Sequence, residues 1–192
     1  MNFEELVHAA RTCRRFEQSQ PLSRGDLEWL TDCARMSPCG RNAQELRFVL
    51  AHSPEACAEI FPQTKWAGAL KDWDGPAEGE RPTGYIAILM PKNANAIIHF
   101  DVGIAAQSMQ LAAASKGWGC CMHASFNRAR CPEILHAPED MDIALLLAFG
   151  VEKEERRVAS MPADGSFNYW RDEAGVHHVP KRALKDIILG EL

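Results

Sequence analysis

The sequence has no long apolar run. Its two most apolar stretches, Tyr85 to Met90 and Ile143 to Phe149, fall far short of the roughly 20 residues that span a bilayer, and both read as buried strands. The first residues, Met1-Asn2-Phe3-Glu4-Glu5, are acidic where a secretory signal is basic. The expectation is a cytoplasmic protein with no membrane partner. An excess of positive charge is also lacking: 21 Lys and Arg against 26 Asp and Glu leave a net charge of −5. That balance argues against a surface built to neutralise nucleic-acid phosphates. The seven cysteines (Cys13, Cys33, Cys39, Cys57, Cys120, Cys121 and Cys131) contain no Cys-x-x-Cys pair, so neither a disulfide framework nor a metal ribbon is supported.

Three reaction motifs are missing as well: Gly-x-x-x-x-Gly-Lys, His-Glu-x-x-His and Gly-x-Ser-x-Gly. Support is thereby withdrawn from P-loop phosphate chemistry, zinc proteolysis and hydrolysis by a serine nucleophile. Gly117-Trp118-Gly119 starts like a dinucleotide fingerprint, but Met122 stands at the final glycine position and the segment enters a strand rather than a helix.

What is present is the composition of an ordinary globular chain: 192 residues, 46% apolar and 24% charged, enough for one domain over 1–192 with a sizeable core. Residues 2–10 and 23–36 read as helices, the second with Ser23 as N-cap and Asp26 closing a capping box. Leu46, Phe48 and Leu50 alternate as in a strand, and Pro54-Glu55-Ala56 opens a short helix. The segment 63–83 holds Trp66, Trp73, Gly75, Pro76 and Pro82, too many breakers for regular structure and too many aromatics for disorder, so it reads as an ordered lid or wall. After the strand at Tyr85, Asn93 or Asn95 caps a long helix to about Lys116, stopped by Gly117. Its Ile97, Ile98, Asp101, Val102, Ile104, Ala105 and Met109 recur at helical spacing, as core and as an interface. Residues 118–124 and 143–150 are strands around a helix at 127–135. A charged arm then runs to a short final helix at Leu184, Ile187 and Ile188. The class is α+β.

One basic cluster bears on chemistry. Arg11-Thr12-Cys13-Arg14-Arg15-Phe16 follows a helix, so that guanidinium forks and a hydroxyl can converge on one phosphate monoester. Short basic runs are common on protein surfaces, and the cluster gains meaning only from three further segments, in order: Ser37-Pro38-Cys39-Gly40-Arg41-Asn42-Ala43-Gln44 before a strand, Gly117-Trp118-Gly119-Cys120-Cys121-Met122 after the long helix, and Val179-Pro180-Lys181-Arg182 near the end.

Together these resemble the nitroreductase family: its Arg-Ser-x-Arg-x-Phe opening, its Ser-Pro-Ser-x-x-Asn-x-Gln turn, its long Asp-x-Gly helix ending in Gly-x-Gly, and its basic C-terminal clamp. The likeness spans nearly the whole chain. It implies a central, mostly antiparallel sheet flanked by helices, an extended C-terminal arm, and a homodimer with FMN at the subunit interface. Arg11, Thr12 and Arg14 would hold the FMN phosphate or ribityl oxygens, with Cys13 contributing main chain and Lys181 and Arg182 completing the site. Pro38, Cys39, Gly40 and Asn42 would approach from the other subunit, although Cys39 departs from the family's serine. Met122, His123 and Ala124 fall where the family places main-chain donors near the reactive edge of the flavin, and which of them donates stays open. Arg15 reads as a surface charge.

The resemblance further implies ping-pong hydride transfer from NADH or NADPH to a nitroaromatic, a quinone or a similar small aromatic acceptor, with the chemistry carried by FMN and no catalytic side chain. Trp66 and Trp73 are candidates for the substrate pocket and equally for core residues sealing the loop. Other readings stay open: a flavin-binding or storage protein without turnover, a reductive dehalogenase or flavin-fragmenting enzyme on the same scaffold, or a thiol protein using Cys39, Cys120 and Cys121.

Overall fold

The computed structural model describes residues 1–191. Its centre is a four-stranded sheet of β1 (Arg47–Ala51), β2 (Gly84–Pro91), β3 (Trp118–His123) and β4 (Met141–Val151), in the order β1-β2-β4-β3 with every neighbouring pair antiparallel. The helices are α1 (Phe3–Ala9), α2 (Arg24–Arg35), α3 (Pro54–Ile60), α4 (Ile98–Ser115) and α5 (Arg130–Ile134). Successive strand residues point to opposite faces, and here both faces are covered. Ile86, Ile88, Leu147, Phe149 and Cys120 pack with Leu27 and Leu30 of α2 and Val102, Ala105 and Met109 of α4. Tyr85, Ala87, Leu89, Leu146 and Ala148 pack with Ile60 of α3, Cys131 of α5 and Trp66 of the long loop. A strand buried on both sides has no need of polar alternation, hence the unbroken apolar runs in β2 and β4.

Local signals set most helix ends. Asn2 with Glu5 and Ser23 with Asp26 both form capping boxes. The start of α4 differs from the sequence expectation: Asn93 and Asn95 lie ahead of it, and its N-cap is Ile97, which makes no side-chain cap. Asn95 Oδ1 instead accepts from Ile97 N at 2.8 Å, while Ile98, His99 and Phe100 N–H groups each donate three residues back, to Asn95, Ala96 and Ile97 carbonyls. A tight turn therefore satisfies the donors that a cap would otherwise serve. At the other end Gly117, with φ +72°, closes the helix.

The arm carries more structure than its sequence suggests. β5 (Arg156–Ser160), β6 (Trp170–Arg171) and β7 (His177–Lys181) form a second sheet in the order β5-β7-β6, with β5 and β7 parallel. The final helix expected around Leu184 is a single 3-10 turn, Leu184–Asp186. Leu184, Ile187 and Ile188 are exposed, so nothing among the described residues supplies the packing that a short helix needs. Among the described residues no helix is long and apolar enough to cross a membrane.

Candidate functional site

The basic turn is held by the edge of the main sheet. Cys13 N donates to Cys120 O at 2.9 Å, and Thr12 bridges Cys120 in parallel, so Arg11 to Phe16 covers the open side of β3. Two glycines make this approach possible. A Cβ on Gly119 would sit 2.4 Å from Cys13 Sγ, and one on Gly150, its register partner in β4, 3.0 Å from Phe16. Cys13 and Phe16 are fully buried anchors, and burial pushes the Cys13 thiol up to about 11. Cys13 thus serves as packing and main chain. Arg15 pairs with Glu80 at 3.2 Å.

Arg11, Thr12 and Arg14 line a cavity of about 450 Å³, joined by Gln107 and Gln110 from α4 and by Tyr169, His177 and Lys181 from the arm. Its three cations have no carboxylate partner within 4.0 Å among the described residues. Arg11 Nη2 donates to Val7 O at 2.7 Å, and Arg14 Nη1 lies 3.2 Å from His177 Nε2. The Nε–H groups of both arginines are buried without a partner, although Arg14 is only 9% exposed. Burial, and then the neighbouring charge of Arg156, lowers the Arg11 pKa. A buried, unpaired cation is costly, and an anion with several acceptor oxygens in this cavity offsets that cost. The donor set therefore fits a phosphate monoester carried on a hydroxylated chain. Arg182, by contrast, is exposed beyond β7 and lies outside the cavity lining.

Three arm residues that the sequence does not single out fix this turn. Glu154 Oε2 accepts from Arg14 N at 2.9 Å. Arg156 reaches the Arg11 carbonyl and the Glu152 carboxylate. His177 meets the Arg14 guanidinium, whose other flank lies 4.4 Å from the Tyr169 ring centre. Glu154, fully buried, also accepts from Arg171 at 2.6 and 3.0 Å. The charged run after Gly150 is the only hint of this in the sequence, and a charge run has no inherent direction.

The second turn is of another kind. Arg41, Asn42 and Gln44 adopt positive φ of 54°, 54° and 52°, backbone that non-glycine residues seldom hold and that recurs at ligand sites. Gly40 allows a close approach: a Cβ there would fall 2.9 Å from the side chain of Ile97, the N-cap of α4. Buried Asp101 accepts from Gly40 N at 2.8 Å, which gives the Asp-x-Gly helix a definite job. Cys39 and Asn42 line a cavity of about 400 Å³ with Asp101 and Phe48, and Pro38 is exposed beside it. Along α4, between this turn and the basic cavity, Ile97, Phe100 and Ile104 are exposed.

The remaining candidates lie elsewhere. Met122 and buried His123 end β3, and Ala124 follows, exposed. His123 Nδ1 is 3.2 Å from Lys65 O and its ring stands edge-on to Trp66 at 4.4 Å. Burial depresses its pKa to about 4, so it is neutral near pH 7 and a poor proton donor. Trp66 is buried in the core, whereas Trp73 is half-buried with the Arg171 guanidinium 4.1 Å over its ring. Neither lines the two cavities just described. Cys120 and Cys121 are buried in β3, and burial drives the Cys121 thiol up to about 12, which removes the thiolate that redox or metal chemistry requires.

The nitroreductase family model matches residues 7–151, well over half of the chain. The chain belongs to the nitroreductase family. Solved structures bear out the fold. A nitroreductase family protein from Clostridium difficile 630 is 22% identical at a TM-score of 0.62, covering 80% of this chain and 86% of that one. An FMN-dependent nitroreductase from Clostridium difficile R20291 is 18% identical at a TM-score of 0.62, covering 85% and 94%. Nitroreductase A from Vibrio parahaemolyticus RIMD 2210633 is 20% identical at a TM-score of 0.66, covering 90% and 78%. No curated protein matches. The matched segment ends just before Glu152, so Tyr169, His177 and Lys181 enter the basic cavity from outside it.

Proposed function

We propose that this nitroreductase-family chain is an FMN-dependent oxidoreductase that takes reducing equivalents from NADH or NADPH and delivers them to a small electron-poor aromatic, a nitroaromatic or a quinone. The observation that carries the reading is the cavity of Arg11, Thr12, Arg14 and Lys181, whose cations lack carboxylate partners. Arg11, Arg14 and Lys181 hold the phosphate, and Thr12, Gln107 and Gln110 supply hydrogen bonds to the ribityl chain. When bound, FMN supplies the hydride chemistry.

The other residues bind and orient. The active form is a homodimer in which the exposed Ile97, Phe100 and Ile104 strip of α4 meets its copy. The Pro38 to Asn42 turn of one chain then faces the flavin held by the other, with main-chain groups around Met122, His123 and Ala124 beside the ring. Exposed Arg182 adds a cation at the mouth of the phosphate site. No side chain is assigned proton transfer, in keeping with the neutral, buried His123.

The visible spectrum and the released cofactor of freshly purified protein test the first half. A flavin spectrum, FMN as the released cofactor, and rapid bleaching on mixing with NADH or NADPH are expected. A colourless protein that takes up no FMN overturns the reading, and a bound flavin that never bleaches leaves a carrier in place of an enzyme.

A further inference from the structure

We propose that His177 is a positioning residue that, together with Tyr169, holds the Arg14 guanidinium in place for the phosphate without neutralising it. The inference rests on the reading of the basic cavity as a flavin phosphate site. Arg14 is tied down at three points. Its main-chain N–H is bound by Glu154 at 2.9 Å, its Nη1 lies 3.2 Å from His177 Nε2, and its flat face lies 4.4 Å from the centre of the Tyr169 ring. Tyr169 in turn packs 5.1 Å from the His177 ring. The buried Nε–H is left without a partner, and Nη2 has none among the described residues.

The choice of acceptor matters. An arginine fixed by a carboxylate surrenders most of its charge to that partner, and the carboxylate repels an incoming dianion. Glu154 is close by but occupied: its oxygens accept from Arg171 and from the Arg14 main chain, and its Oε1 is 3.9 Å from His177 Nδ1. His177 accepts only through an unprotonated Nε2. Full burial keeps the ring neutral, with its pKa lowered to about 4. A neutral acceptor orients the fork and leaves its whole charge for the ligand. Both residues belong to the arm, outside the family-matched segment 7–151, so this chain finishes its own phosphate pocket from its C-terminal sheet.

The test compares dissociation constants for FMN and riboflavin, which differ only in the phosphate, for His177→Phe, His177→Gln and His177→Glu. Losing one charge-assisted contact costs about tenfold. His177→Phe keeps a ring of similar size without the acceptor, and FMN affinity falls by about tenfold while riboflavin affinity is unchanged. His177→Gln restores an acceptor oxygen and returns FMN affinity to near the wild-type value. His177→Glu weakens FMN further than His177→Phe, again sparing riboflavin. Inorganic phosphate, added to flavin-free protein, raises the melting temperature of the wild type and of His177→Gln and fails to do so for His177→Phe. If His177→Phe does not fold, the contrast between the two polar variants decides.

Equal weakening of FMN and riboflavin, or wild-type FMN affinity in His177→Glu, overturns the proposal. Arg11→Ala combined with Lys181→Ala is the control for the underlying reading. If that pair leaves the preference for FMN over riboflavin intact, the phosphate lies elsewhere and both fall. If the pair abolishes the preference but the His177 variants do not move it, only the positioning role fails.

Discussion

The basic turn and the Pro38 to Asn42 turn are the two motif-bearing loops of one candidate site, yet they are held in opposite ways. Main-chain pairing with β3, two glycines that admit Cys13 and Phe16, and arm contacts from Glu154, Arg156 and His177 lock the first. The second, with its flanks from Ser37 to Gln44, is tied to α4 by the Gly40 N–H bond to Asp101 and by Ser37 Oγ against Ser108 Oγ at 2.6 Å, keeps Arg41, Asn42 and Gln44 at positive φ, and is exposed at Pro38, Arg41 and Asn42. The contrast teaches that one chain fully organises the basic cavity, whereas the other turn is left exposed. Preorganised donors bind without paying for order at the moment of binding, which is where affinity for FMN over riboflavin should reside.

The sharpest way to break this comparison is to remove charge from the locked turn. Arg11→Ala with Lys181→Ala is expected to raise the FMN dissociation constant by about 100-fold or more and to leave riboflavin within a few-fold, by fluorescence titration. Equal losses for both ligands would erase the division of labour. A smaller effect is expected from the outward turn. Asp101→Ala removes the Gly40 acceptor and should cost about 1–3 kcal/mol of stability, with FMN and riboflavin weakened alike by roughly tenfold. Asp101→Asn retains an acceptor oxygen and should lose much less; calorimetry and the same titrations measure both.

The smallest effect is a pH dependence from two buried histidines, His177 beside the locked turn and His123 at the end of β3. His123 and His177 titrate near 4 in the fold, against 6.5 as the ordinary value. Between these limits the unfolded chain takes up protons that the native chain refuses, so stability is complete above pH 6.5 and falls as pH drops toward 4. About 1 kcal/mol per histidine should be lost between about pH 7 and 5.5. Melting temperatures across that interval provide the check, and His177→Gln should remove about half of the slope.

Legibility in the sequence followed range. The Ser23 capping box, the buried strands and the glycine stop of α4 are set by residues within a few positions of one another, and each is where its pattern puts it. The start of α4 was not legible, because a turn of three-residue hydrogen bonds replaced the side-chain cap that Asn93 and Asn95 suggest. Arg11, Thr12, Arg14 and Lys181 were found by motif and do converge, while Arg182 does not line the same cavity. The arm strands were missed because β6 has only two residues, while β5 and β7, as long as the legible β1, open on Arg156-Arg157 and His177-His178 and carry no apolar alternation.

The sequence by itself therefore determined the family, the two-sided sheet and the cations that meet in the basic cavity, since periodicity and ordered motifs are local properties of a chain. Only the tertiary structure decided what holds those cations. Glu154 lies 140 residues from Arg14, His177 lies 163 from it, and Arg156 lies 145 from Arg11. A hydrogen bond across such separations exists only after the sheet has formed and the arm has returned to its edge. No spacing along the chain encodes that return, and the uncompensated charge of the pocket follows from it.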